Sequence, residues 1–230
     1  MGTGARPALI PMLFSGDRNE PLRVLFLGAH CDDIEIGCGG TILRLAEWYP
    51  NLDMRWMILS SNEERRGEAQ KSATRFGMAD PGKDLRIESF RDGYLPYEGA
   101  EVKQAIHDQC RDFPPDIVFT HYRNDRHQDH RVVSNITWNA FRNHLVLEYE
   151  IPKWDGDLGS PNFFVPLDEV HVERKLAVIE EEYPSQAAKG SFALTAFRGL
   201  MAIRGLEAKA TGGYAEAFYS RKLIAGATES

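Results

Sequence analysis

Two short clusters hold most of the side chains able to do chemistry: His30-Cys31-Asp32-Asp33 and His127-Gln128-Asp129-His130. His30 and Asp33 are three apart on a turn and can point at one atom. His127 and His130 repeat that spacing at the start of a helix, where such positions share a face. Two imidazoles and one carboxylate make a three-ligand set with a fourth position open, the pattern of catalytic rather than structural zinc. Zinc held in this way lowers the pKa of its bound water to about 7 and supplies hydroxide at neutral pH. Two carboxylates are left over. Asp32 points differently from Asp33 and can serve as general base toward that water. Asp129 can orient whichever of the two histidines does not bind metal. A histidine held by a carboxylate tends to be protonated, and so can stabilise an oxyanion or protonate a leaving amine.

Each cluster taken alone is a weak signal. A single HxxD pair arises by chance, and HQDH can simply cap a helix with an acid in its first turn. Gly37–Gly40 (GCGG) reads as a tight turn or the remnant of a phosphate-binding loop, and it lacks both GxGxxG and a Walker lysine. Two clusters, each directly after a buried apolar run, favour the metal reading.

The elements that must position them follow from apolar patterning. Val24–Ala29 is a continuous apolar run suited to a strand buried on both faces, Met54–Ser60 and Asp116–His121 read as further buried strands, and Leu85–Phe90 alternates like a strand nearer an edge. Helices are expected over Thr41–Tyr49, Asn62–Phe76, Ala100–Phe113 and Arg131–His144. Leu145–Glu150 and Phe163–Leu167 read as further strands. Helices at Glu169–Glu182, with Asp168 as N-cap, and at Ser191–Leu206 complete the chain. Alternating strands and helices predict an α/β fold: a Rossmann-like, mostly parallel sheet with helices on both faces. Ligands of such sheets sit beyond the carboxyl ends of the strands, where strand order reverses. If strand 24–29 neighbours strand 116–121, both clusters face one crevice there.

The segment AHCDDIEIGCGGTI resembles the AHPDDxExGxGGT signature of the PIG-L/LmbE-type N-acetylglucosaminyl deacetylases, and DRHQDH resembles their second signature, HPDH. RRGEA (65–69), FRDG (90–93), YPSQ (183–186) and YAEAF (214–218) extend the likeness from about Val24 to Phe218. The resemblance implies a zinc-dependent N-deacetylase. It makes His30, Asp33 and His130 the metal ligands, Asp32 the general base, and His127 the oxyanion-stabilising histidine with Asp129 as its partner. Arg65 and Asp92 match positions that hydrogen-bond sugar hydroxyls. Zinc is the expected ion, with another divalent ion such as Fe2+ as the alternative. The expected partner is a small N-acetylated amino sugar or its conjugate, and relatives often form trimers or hexamers. Cys31 and Gln128 stand where the family has proline. Those prolines shape turns without supplying ligands, so the site should survive, with Cys31 a buried structural thiol.

The chain has 230 residues, 43% of them apolar, and a net charge of −7. That predicts one domain over 1–230, with a core of about 22–150 and a C-terminal elaboration of about 151–230. An acidic chain is a poor polyphosphate binder, so nucleic acid is not an expected partner. No apolar run reaches membrane-span length, and no membrane partner is expected. Three cysteines without CxxC argue against a disulfide scaffold or a thiolate zinc site. The N-terminus carries no signal peptide or myristoylation pattern, which makes a reducing cytoplasm the expected location.

Several further residues carry a bland and a sharp reading. His121 either lines the crevice or is a satisfied buried histidine, while His107, His144 and His171 are expected on the surface. Arg123, Arg126 and Arg131 pair with Asp125 or Asp129, or bind a phosphate. Trp154 either stacks on a sugar or, the favoured reading, anchors its loop. Phe192, Phe197 and Met201 are expected in the core or at a subunit contact. Two other functions use the same features. A non-haem iron oxygenase also employs two histidines and one carboxylate, though usually on a β-barrel. A non-catalytic sugar-nucleotide-binding module would not need an intact Asp32.

Overall fold

The computed structural model describes residues 20–187 and 193–224. The N-terminal readings, Phe192 and the first residues of the expected last helix lie outside them. Seven strands form one sheet: β1 (Leu22–His30), β2 (Leu52–Ser60), β3 (Leu85–Phe90), β4 (Ile117–His121), β5 (Leu145–Tyr149), β6 (Phe163–Leu167) and β7 (Tyr214–Ser220). Their order is β3-β2-β1-β4-β5-β7-β6. The first five run parallel. β7 is antiparallel to both β5 and β6. The order reverses between β1 and β4, the pairing on which a shared crevice depends, and the cluster-bearing loops both leave the sheet there.

Successive side chains of a strand face opposite ways, and the central strands carry runs of consecutive buried apolar residues. Val24 and Phe26 therefore enter one core and Leu25 and Leu27 the other. The first core is closed by α1 (Asp33–Trp48), α2 (Glu63–Arg75), α6 (Glu169–Glu182) and α8 (Leu194–Ala208). The second is closed by α4 (Gly99–Asp112) and α5 (Gln128–Ala140). Short helices α3 (Pro81–Asp84) and α7 (Pro184–Ala187) and a 3-10 turn at Leu95–Glu98 are too brief to show a period in sequence.

The largest departure from expectation is α1. It begins at Asp33, eight residues before Thr41, so the glycines of GCGG lie inside a helix and form no turn. Packing explains them: a Cβ on Gly37 would stand 2.3 Å from the Tyr149 ring, and one on Gly40 would stand 2.5 Å from Leu167. Tyr149 cannot easily retreat, because its hydroxyl donates to the Leu27 carbonyl at 2.6 Å. Gly37→Ala therefore reverses the usual propensity gain of about 1 kcal/mol. A loss of about 1–3 kcal/mol from overpacking is expected, read as a lowered denaturation midpoint. An unchanged or raised midpoint would refute the packing account.

β7 is the strand that sequence patterning misses. Ala215, Glu216, Ala217 and Phe218 are all buried, so no alternation is visible, and a glutamate interrupts the apolar run. The Glu216 carboxylate accepts from the N–H groups of Gly40 (2.8 Å) and Thr41 (2.6 Å) and from Lys175 Nζ (2.7 Å). Lys175 also donates to the Ile36 carbonyl at 2.6 Å. In a regular helix the Gly40 N–H bonds the Ile36 carbonyl. Here a glutamate and a lysine from two other elements engage both groups.

Two surface expectations are corrected. His171 is buried, and it closes a capping box with Asp168 and reaches Glu47 at 3.0 Å. Trp154 is 89% exposed and does not anchor its loop.

Candidate metal centre and active site

His30 is the last residue of β1, Asp33 the first of α1, and His130 lies in the first turn of α5. The strand reversal brings their donor atoms together across a hundred residues of sequence. His30 Nδ1 lies 3.3 Å from His130 Nε2 and 3.4 Å from Asp33 Oδ2, and His130 Nε2 lies 3.5 Å from Asp33 Oδ1. Donors about 2.0–2.1 Å from a shared tetrahedral ion stand roughly 3.3–3.4 Å apart. The contacts reach both Asp33 oxygens, Oδ2 from His30 and Oδ1 from His130, and are of the size found between donors to one cation. His127 also groups with His30 and His130, and His121 with Asp33 and His130, closely enough to share an ion.

The far nitrogens of the two rings support the same fit. His130 Nδ1 meets Asp125 Oδ2 at 2.9 Å, and His30 Nε2 meets Asp129 Oδ2 at 3.2 Å. Both aspartates are buried. A carboxylate on the far nitrogen holds a proton there and leaves the near lone pair for a metal. Asp129 also accepts from the backbone N–H groups of Gly93 (2.8 Å) and Leu95 (3.2 Å), and Asp125 Oδ1 accepts from His127 N at 2.7 Å. Burial alone would lower the His30 pKa, but Asp33, Asp129 and Asp92 outweigh it and hold it well above the usual range. Asp33 is held well below its usual range: His130, His121 and His30 overcome the opposing effect of burial. The centre thus concentrates carboxylates that call for positive charge.

Asp32 sits beside this centre with φ at 135°, a left-handed value unusual for a residue other than glycine. Strain of this kind is of order 1–3 kcal/mol and persists only where the surroundings enforce it. The Asp32 side chain does not cap α1. It receives Arg65 Nη2 at 2.7 Å instead. Burial pushes its carboxyl up to about 7, against the pull of that guanidinium.

His127 is the N-cap of α5, and its Nδ1 accepts from Asp129 N at 3.3 Å. The proton of the neutral ring therefore belongs on Nε2. This corrects the expected pairing: the Asp129 carboxylate lies on His30, and only the backbone of residue 129 meets the His127 ring. Burial, then His130 and His30, lower the His127 pKa, so the ring tends to the neutral form and not to the protonated one expected from a carboxylate partner.

A family model, PIG-L, described as GlcNAc-PI de-N-acetylase, matches residues 25–141, just over half of the chain. The chain belongs to the PIG-L family. An Escherichia coli K12 protein described as uncharacterized deacetylase YaiS is 26% identical over 177 residues, spanning 71% of this chain and 91% of that one. Solved structures share the fold, among them two of different named chemistry. The N,N'-diacetylchitobiose deacetylase of Pyrococcus horikoshii has a TM-score of 0.66 at 20% identity, covering 88% of this chain and 85% of its own. GalB of Pseudomonas putida KT2440, a 4-carboxy-2-hydroxymuconate hydratase, has a TM-score of 0.69 at 20% identity, covering 90% and 99%. One backbone thus carries two chemistries, so the fold of a PIG-L chain does not by itself choose the reaction.

The remaining expected residues of this PIG-L chain fall close by, with altered contacts. Arg65 is buried on Asp32 and on the Cys31 carbonyl, not open toward solvent. Asp92 is 68% exposed in its side chain, and its Oδ1 stands 3.2 Å from His30 Nε2, which holds its carboxyl down to about 2. The Cys31 thiol is fully buried, and burial pushes it up to about 12, so it is an inert thiol. Gln128, at the family's proline position, donates to the Gly93 carbonyl. Arg123 pairs with Glu148 at 2.8 Å, and Arg131 donates to the Asp125 carbonyl at 2.9 Å. His121 is fully buried beneath the centre, stacked on His130 at 3.9 Å and 3.2 Å from Asp33 Oδ2.

Sequence reasoning missed Asp125 as the His130 partner. Its only signal is chemical: a ligand histidine wants an acid on its far nitrogen, and two aspartates flank His127.

Proposed function

We propose that this PIG-L chain is a metal-dependent hydrolase that removes the N-acetyl group from a small amino sugar or sugar conjugate. The observation that carries the reading is the convergence of His30 Nδ1, His130 Nε2 and the Asp33 carboxylate at 3.3–3.5 Å, with a strained, buried Asp32 beside them. His30, Asp33 and His130 would hold a divalent cation, zinc or an alternative such as Fe2+, which supplies Lewis acidity toward water and toward the amide carbonyl. Asp32 takes a proton from the attacking water as the new C–O bond forms. A carboxyl near 7 is matched to that task, able to accept the proton and return it. His127, with its Nδ1 occupied, offers Nε2–H to the oxygen that becomes negative in the tetrahedral intermediate. The C–N bond then breaks, the amine leaves with the proton that Asp32 held, and acetate remains. Asp129 acts through His30, whose tautomer it fixes. Arg65 holds Asp32 in place, and Asp92, exposed at the rim, is available to a sugar hydroxyl.

Support for a sugar substrate comes from the family description and from the chitobiose deacetylase, which by its name acts on an N-acetylated sugar. Among the described residues no helix is long and apolar enough to cross a membrane.

An acetate-release screen over N-acetyl amino sugars and their conjugates tests the reading, with the protein as purified, stripped by chelator, and reloaded with zinc or Fe2+. Release that disappears on stripping and returns on reloading is the expected result. No release from any acetamide, together with water addition to an unsaturated hydroxy acid, would move the chain to the hydratase chemistry.

A further inference from the structure

We propose that Lys153 is a positioning residue of the metal centre: it locks Asp125 against His130 and so sets how tightly the centre holds its cation. Lys153 lies in the loop between β5 and β6, outside both signature clusters. Its Nζ stands 2.8 Å from Asp125 Oδ2, the same oxygen that meets His130 Nδ1 at 2.9 Å. It also stands 2.6 Å from Asp157 Oδ2, and that oxygen accepts from Arg126 N at 2.6 Å. All three side chains are largely enclosed: 16% exposed for Lys153, 2% for Asp125 and 6% for Asp157. The ammonium therefore bridges two carboxylates, each of which grips the backbone of the turn carrying His127 and leading to His130.

Asp125 has a double task. Oδ1 takes the His127 backbone N–H and Oδ2 takes the His130 ring. A carboxylate that swung about its Cβ–Cγ bond would release both, and the His130 lone pair would leave the line of its ion. Lys153 supplies the contact that resists this rotation. Loss of a partner that orients a metal-binding histidine typically weakens metal affinity by about 10–100-fold.

The inference rests on the metal reading above. The full chain, stripped and titrated with zinc against a chromophoric chelator, tests it, with the visible spectrum of the Co2+ form as a second readout. Lys153→Met is expected to weaken zinc binding by about 10–100-fold, to shift the Co2+ bands, and to shrink the rise in Tm that zinc produces. Lys153→Arg is expected to restore all three. A lysine that merely tethers its loop would lower the Tm of the stripped and loaded forms equally and leave the affinity unchanged. That outcome overturns the proposal. Should Lys153→Met not fold, Asp157→Asn decides: a zinc affinity reduced by a few-fold, about 3-fold or more, supports the clamp, and an unchanged one overturns it. An unsubstituted chain that binds neither zinc nor Co2+ overturns the metal reading and this inference together. A chain that binds zinc while its variants match it overturns the inference alone.

Discussion

Asp32→Asn is expected to abolish nearly all acetate release while bound metal stays at its original level. General-base contributions run to about 10²–10⁴-fold, and the drop should lie in kcat more than in KM. Asparagine is the informative replacement for two reasons. It tolerates left-handed backbone, which the φ of 135° at this position demands, so the turn between β1 and α1 keeps its shape. It also keeps an oxygen for Arg65, which otherwise loses the carboxylate at 2.7 Å. Metal content by elemental analysis and Tm serve as controls. Asp32→Gly relieves the backbone outright and should be equally inactive, which separates lost chemistry from lost shape. Substantial turnover in either variant would remove Asp32 as the base.

His130→Ala is expected to lose the metal. Two donors, His30 and Asp33, would be left where three converge, and the loss of affinity should exceed the 10–100-fold typical of a lost orienting partner. Activity should fall to background as a consequence. The fold should survive, because Asp125 keeps Lys153 at 2.8 Å and the His127 N–H at 2.7 Å, and Asp33 keeps His30 at 3.4 Å and His121 at 3.2 Å. The remaining cost is a cavity under the crevice, on the order of 1–3 kcal/mol. Elemental analysis of the folded variant checks the prediction, and full occupancy would reassign the ligand.

The parallel core was legible because β1, β2 and β4 each carry a run of consecutive apolar residues (24–29, 56–59 and 117–119), and only a strand covered on both faces has reason to. The meeting of the two clusters followed from placing β1 beside β4. What stayed hidden depends on long-range contacts. The glycines of α1 look like a turn until Tyr149 and Leu167 are set against them. Glu216 looks like a surface residue until Lys175 and two backbone N–H groups of α1 surround it. In the site, residue types pointed to the side chains that meet but not to the partners that hold them. Asp129 is adjacent in sequence to His130 and near His127, yet its carboxylate serves His30, ninety-nine residues away. Asp125 carries no spacing signal at all, and Lys153 belongs to a loop that no motif covers.

β7 comes last among the strands and yet lies inside the sheet, between β5 and β6. Proteins are made N-terminus first, at about 5–20 residues per second. A nascent chain therefore exposes β6 with no neighbour to pair with until residues 214–220 leave the ribosome, and α1 must wait for Glu216. The turns carrying His30, Asp33 and His130 are translated before Glu216, which engages the Gly40 and Thr41 N–H groups of α1. Ribosome-stalled chains ending before residue 214 should be open to protease along 163–167 and should retain little zinc.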